Sequence, residues 1–158
     1  MVRSHTFLAW IACLLLVACS SGPVRRISEP AASIQQLSVD ADGGWSVDLR
    51  VQNYSSIAMR FDTLRLELTA GDTAAGTLEA APQLSIAGAS ADVVTLQLTP
   101  TAEARILLAD ALAGGRTLPY ALRGELGAAP ADRGRARDYR IDRNGVLSPV
   151  PGLPGVLR

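Results

Sequence analysis

The chain has 158 residues, enough for one domain whose core needs no covalent staples. Hydrophobic residues make up 48% of it and aromatics only 4%, so packing has to rest on Leu, Val, Ile and Ala. Its 15 basic residues, all arginine, balance 15 acidic ones, which leaves no electrostatic footprint for nucleic acid and excludes Schiff-base chemistry or a phosphate-loop lysine. Both cysteines, Cys13 and Cys19, lie in the first twenty residues, so the body holds neither a disulfide nor a thiolate metal site.

At the N-terminus Arg3 precedes an apolar stretch from Phe7 to Val17. Its 11 residues fit the apolar region of a secretory signal, whereas a spanning helix needs roughly 20. The stretch ends in Leu16-Val17-Ala18-Cys19, which resembles a bacterial lipobox at all four positions. That resemblance implies cleavage after Ala18, acylation of Cys19 and attachment to a membrane through it. Residues 1–18 are then the lipoprotein signal peptide, with Cys13 one more apolar residue of it. The competing reading, an apolar helix of the fold with Cys19 an ordinary small hydrophobe, leaves the flanking arginine and the small-residue site unexplained. Ser20 rather than Asp at the second mature position implies, in a Gram-negative cell, the outer membrane with the domain in the periplasm. Residues 19–33, rich in Ser, Pro and Ala and carrying Arg25-Arg26, read as the acylated cysteine and a tether.

The domain is predicted over residues 34–148. Ile34 to Asp40 offers a first strand, and Asp42-Gly43-Gly44 turns it into a second, where Trp45, Val47, Leu49 and Val51 alternate with polar residues. Trp45 reads as a core residue at a strand start rather than a ligand-stacking one. Asn53-Tyr54-Ser55-Ser56 interrupts, with Asn53 a left-handed or side-chain-capped turn residue. The run that follows changes parity, from Ile57, Met59 and Phe61 to Leu64, Leu66 and Leu68. A period-2 strand does so only through an inserted residue, so a bulge or bend is predicted near Asp62-Thr63, of the kind that carries a strand from one sheet of a sandwich to the other.

Ala70 to Thr73 is a turn, Ala74 to Ala80 a weak strand containing Gly76, and Gln83 to Ile86 another short one. After a turn at Gly88 to Ala91, Val93 to Leu98 alternates clearly. Thr101 stands where it would cap a helix from Ala102 to Leu112, stopped by Gly114-Gly115. Leu118, Tyr120, Leu122, Gly124 and Leu126 alternate again; Tyr139 and Ile141 form a further strand, with Asn144-Gly145 turning into Val146-Leu147. Residues 149–158 form a Pro-rich tail that cannot be a central strand. The sum is a mainly β protein: an antiparallel β-sandwich with one helix packed across it.

Asn53 and its break, the long strand after it, Gly76, the Val94-Leu96-Leu98 strand, the helix and Tyr120-x-Leu122-x-Gly124-x-Leu126 together resemble the type 2 late embryogenesis abundant (water stress and hypersensitive response) domain. The family's Asn-Pro-Asn element is reduced here to Asn53-Tyr54-Ser55. The resemblance implies a β-sandwich of fibronectin type III plan and a protective role in desiccation and related stress. It implies no catalysis, and its motif residues Asn53, Gly76, Tyr120 and Gly124 are structural.

Three other features bear on possible sites. His5 falls in the signal peptide, so the mature chain lacks His and Lys, the usual general bases. Asp40 and Asp42 flank a turn and are too few for Ca²⁺. Arg133, Arg135, Arg137, Arg140 and Arg143, interleaved with Asp138 and Asp142 and preceded by Asp132, read as a solvated, partly ion-paired loop and edge strand; the alternative is a partner or headgroup site. We expect no enzymatic activity, no cofactor, no metal and no nucleic acid. The partner we expect is a membrane reached through acylated Cys19. The alternative is a carrier or sensor for an apolar ligand, held in a groove between the sheets and the helix.

Overall fold

The computed structural model describes residues 25–158; the lipobox residues Leu16 to Cys19 lie outside them. The elements are β1 (Ala31–Val39), β2 (Trp45–Gln52), β3 (Met59–Ala70), β4 (Thr73–Ala80), β5 (Leu84–Ile86), β6 (Ala91–Leu98), α1 (Ala102–Ala113), β7 (Leu118–Pro130), β8 (Arg137–Leu147) and β9 (Val156–Leu157). They form two antiparallel sheets, β6-β2-β1-β9 and β4-β3-β7-β8, with β5 joining the second by pairing with β3. This is the expected sandwich. Its interior takes Trp45, Val47, Leu49 and Val51 from β2 and Leu66, Leu68, Leu122 and Leu126 from β3 and β7, all 2% exposed or less. Burying each such aliphatic side chain contributes about 1.5–3 kcal/mol, which fixes the direction every strand faces. Trp45, buried in the core, is accordingly a packing residue.

The register of β3 against β7 shifts between Phe61 and Thr63, where the parity of the sequence changes. The bulge does not carry β3 into the other sheet, however. The strand stays in one sheet along its whole length, with β5 paired to Met59 through Phe61 and β4 to Leu64 through Ala70 along one edge. The extra residue instead turns both halves of β3 toward the same core, so Met59, Phe61, Leu64, Leu66 and Leu68 are all buried despite their change of phase. Crossing between sheets occurs in the connections. The chain passes from β2 to β3 through residues 53–58, from β5 back to β6 through residues 87–90, from β6 to β7 through α1, and from β8 to β9 through residues 148–155.

The helix is closed at both ends by its own sequence. Thr101 Oγ1 accepts from the Ala104 N–H at 3.2 Å and donates to the Ala74 carbonyl at 2.7 Å, tying the cap to β4. At the other end Gly115 takes φ +61°, and the Arg116 and Gly115 N–H groups return to the carbonyls of Ala111 (2.8 Å) and Leu112 (3.2 Å), a Schellman closure. Ala104, Leu108 and Ala111 are buried on the side facing β4 and β3, while Ile106 is 70% exposed.

Two local expectations change. Asn144-Gly145 is not a turn: β8 runs through it, pairing Asn144 with Ala121 and Gly145 with Tyr120. The glycine is needed there because a Cβ would lie 2.5 Å from the Tyr120 ring. The chain also joins the body earlier than a tether through residue 33 implies, since β1 begins at Ala31 and Arg26 is already hydrogen-bonded to Ser56. At the far end the tail adds the short edge strand β9 beside β1, with Leu157 fully buried.

Candidate functional site

Asn53 sits between two of the non-helical crossings, β2–β3 and β5–β6, and its side chain joins them. Its Nδ2 donates to the carbonyls of Ile57 (2.9 Å), Ile86 (3.1 Å) and Ala87 (3.0 Å), and its Oδ1 accepts from the Ser55 N–H at 2.9 Å. Its own N–H donates to the Ser90 carbonyl at 2.8 Å. The side-chain-capped turn is thus the conformation adopted, and φ is not positive. Ser55, also fully buried, accepts from the Ser28 N–H through Oγ at 3.1 Å, and the Ser56 N–H donates to the Arg26 carbonyl at 2.9 Å. One amide therefore holds the β2–β3 and β5–β6 crossings together, and the serines after it hold the incoming N-terminal segment. Buried backbone groups left by irregular chain must find partners, and at this end of the sandwich the Asn53 amide and the serine hydroxyls provide them.

The remaining motif residues lie elsewhere in the sandwich and are not brought together into a cleft. Gly76 (φ +148°), in edge strand β4, lets the sheets approach where Leu98 of β6 packs; a Cβ would lie 2.8 Å from Leu98 Cδ1. Gly124 (φ +153°), in central strand β7, passes so close to β3 that a Cβ would fall under 3.0 Å from the Arg65 carbonyl oxygen. Tyr120 crosses the interior. Its hydroxyl accepts from the Ile34 N–H of β1 at 3.2 Å, beside the register shift between Ile34 and Gln36. Tyr120→Phe would leave that buried N–H unpaired, and we expect a loss of about 1–2 kcal/mol in urea unfolding. A loss below about 0.3 kcal/mol would show that the hydroxyl is dispensable.

The two outer faces differ in kind. On the β6-β2-β1 face, Ser46, Asp48 and Arg50 lie beside Gln97, Thr95 and Val93, joined by Thr95–Asp48 (2.7 Å) and Gln97–Ser46 (3.2 Å) hydrogen bonds. The other face is a charge lattice. One row across it reads Glu79, Arg65, Glu125, Arg140 and the next Glu67, Arg123, Asp142, so neighbours across and along the strands have opposite sign. Arg65 pairs with Glu79, and Arg123 with Asp142 at 3.5 Å. Sequence reading missed this lattice, although Arg65-x-Glu67, Arg123-x-Glu125 and Arg140-x-Asp142 carry its period-2 signature.

Beside the N-terminal segment lies a cleft of about 310 Å³ lined by arginines 25, 133, 135 and 137 with Ile27, Pro130 and Tyr139. Arg25 holds Asp132 through two hydrogen bonds of 2.7 and 3.0 Å and also donates to the Arg133 carbonyl. The hydrogen bond from Arg25, with a second from the Arg133 backbone, lowers the pKa of the Asp132 carboxyl to about 2. Arg137, Arg140 and Arg143 lie on edge strand β8, as the loop-and-edge reading of this run expects.

Of the other sequence candidates, Asp42 caps its turn, accepting from the Gly44 N–H at 2.9 Å. Among the described residues no three or more His, Cys, Asp or Glu side chains meet as a metal site, and no helix is long and apolar enough to cross a membrane. The expected groove between sheets and helix is occupied by Ala104, Leu108 and Ala111, each buried. An apolar cleft of about 370 Å³ lies instead past the C-terminal end of α1, between Leu112 and the tail residues Val150 and Leu153.

In comparison with known proteins, the late embryogenesis abundant protein family matches residues 48–145. The fold is similar to a solution structure of AT1g01470 from Arabidopsis thaliana (TM-score 0.51, 12% identity, 80% of this chain and 81% of that one). A crystal structure of a protein from Archaeoglobus fulgidus overlaps 77% of this chain and 96% of its own, at TM-score 0.43 and 10% identity. No curated protein matches the chain at a significant level.

Proposed function

Because the chain belongs to the late embryogenesis abundant protein family, whose match takes in most of the sandwich, we propose that it is a non-catalytic protective module acting in stress at the cell envelope. The match at residues 48–145 is the observation that carries this reading. The positions the motif specifies, Asn53, Gly76, Tyr120 and Gly124, are all spent on holding the sandwich together, with none left to do chemistry. What such a domain offers its surroundings is its surface: one hydroxyl- and amide-rich face and one face of alternating charge. Both faces meet water through hydroxyl, amide and charged groups.

The lipobox Leu16-Val17-Ala18-Cys19 supports attachment through acylated Cys19, with the domain in the periplasm and the outer membrane as its site in a Gram-negative cell. Cys19→Ser should move the protein from the membrane fraction to the soluble one; continued sedimentation with membranes would refute the anchor. Deleting the gene should lower survival after drying, and unchanged survival would refute the protective role. The apolar cleft by Leu112 and Leu153 favours a second reading, an apolar-ligand carrier. A lipid-mass adduct on the purified chain that disappears in Leu153→Asp would put that reading first.

A further inference from the structure

Two groups of arginines on this protein differ in their surroundings. Those on the charged face alternate with carboxylates. Arg133, Arg135 and Arg137, in contrast, make no side-chain hydrogen bond or ion pair among the described residues, although they line one cleft of about 310 Å³. Of the neighbouring acids, Asp132 is already committed to Arg25, and Asp138, next to Arg137 in β8, is not among the residues that line the cleft. Three uncompensated guanidiniums at one small opening, in a chain of zero net charge, create a local anion site. Arginine suits it to phosphate oxygens, because its planar fork donates two parallel hydrogen bonds. Tyr139, Ile27 and Pro130 supply an apolar wall, which a bare inorganic anion does not need.

The cleft also has a defined place. Arg25 lines it six residues after Cys19, a span that about 20 Å of extended chain covers at most. The segment that follows is tied down at Arg25–Asp132 and Arg26–Ser56, so the cleft and the point where the chain leaves the sandwich share one end of the molecule.

We infer that this cleft binds the phosphate of an anionic phospholipid headgroup, docking the sandwich with its Asn53 end toward the bilayer. The inference rests on the reading of Cys19 as the anchor, which brings the cleft to the membrane surface. Each basic side chain near an anionic surface adds roughly a fivefold gain in binding, so three together change it by about a hundredfold at low salt.

The test uses the full-length chain, purified in non-ionic detergent and measured by native mass spectrometry. Phosphatidylglycerol, phosphatidylcholine or inorganic phosphate is added in parallel. A one-to-one phosphatidylglycerol adduct is expected, roughly tenfold or more above that with phosphatidylcholine. It should fall by a similar factor in the triple variant R133Q/R135Q/R137Q, whose melting should match the parent because the three residues are exposed. R65Q/R123Q, on the charged face, should keep the adduct. Equal adducts with both lipids, an adduct that survives the triple variant, or an equal loss in R65Q/R123Q would overturn the inference. Inorganic phosphate that displaces the lipid at equal concentration would overturn the lipid source and leave a free-phosphate site. The same spectra report the acyl mass on Cys19. An unacylated chain that still prefers phosphatidylglycerol would refute the anchor while supporting the cleft.

Discussion

Replacing Gly124 with alanine is expected to lower stability by about 3–5 kcal/mol, a large part of the roughly 5–15 kcal/mol that holds a domain of this size. Two costs add. At φ +153° an L-residue is strained by about 1–3 kcal/mol. Its Cβ would also meet the Arg65 carbonyl oxygen, a backbone atom held in the β3–β7 ladder on both sides of the contact. Neither strand can yield: β3 is fastened to β4 and β5, and β7 to β8. The melting temperature should fall by roughly 10–20 °C. Gly152 provides the control, with φ +81° and open space, no atom lying within 4 Å of where an alanine Cβ would stand. Gly152→Ala should therefore show the conformational strain alone, about 1 kcal/mol. Equal losses at the two positions would show that the close approach to Arg65 contributes nothing.

Asn53→Ala should cost a similar amount, about 3–5 kcal/mol, by a different route. It removes four hydrogen bonds and strands the carbonyls of Ile57, Ile86 and Ala87 at a site that is 1% exposed. Each buried polar group left unpaired costs about 1–3 kcal/mol, reduced where water enters. The damage should be local first. The two crossings separate, the Ser55 and Ser56 contacts loosen, and cleavage by trypsin at Arg25 and Arg26 should speed up before global unfolding. Asn53→Asp preserves shape but exchanges two donors for an acceptor facing three carbonyls, so it should be no more stable than alanine. An aspartate variant with parental stability in urea would mean that the amide donors do not hold the crossings.

Much of the architecture was legible because it depends on pattern. The alternation of Trp45, Val47, Leu49 and Val51, the phase change between Phe61 and Leu64, the Thr101 cap and the Gly114-Gly115 stop are all local. The structure realises each where the sequence places it. Period, caps and inserted residues act within a few residues of chain, so one sequence is enough to read them. The consequence of the bulge was not local. Whether an extra residue sends a strand to the other sheet or only rotates it depends on the neighbours available, and β5 waited to pair with Met59 through Phe61. Asn144-Gly145 failed as a turn for the same reason: its dipeptide preference is weaker than an eleven-pair ladder with β7 and a Tyr120 ring needing the space above Gly145.

The sequence alone determined that this protein is an aromatic-poor β-sandwich with one capped helix, and that it holds no lysine and, beyond His5, no histidine. Tertiary structure decided which residues meet. It brought Asn53 between two crossings 34 residues apart, aligned Arg65, Arg123 and Arg140 with acids from neighbouring strands, and set Arg25 beside Arg133 and Arg137. Such meetings are fixed by strand register and by the stacking of two sheets. Those depend on burying apolar surface throughout the chain at once, and no short window of sequence contains that information.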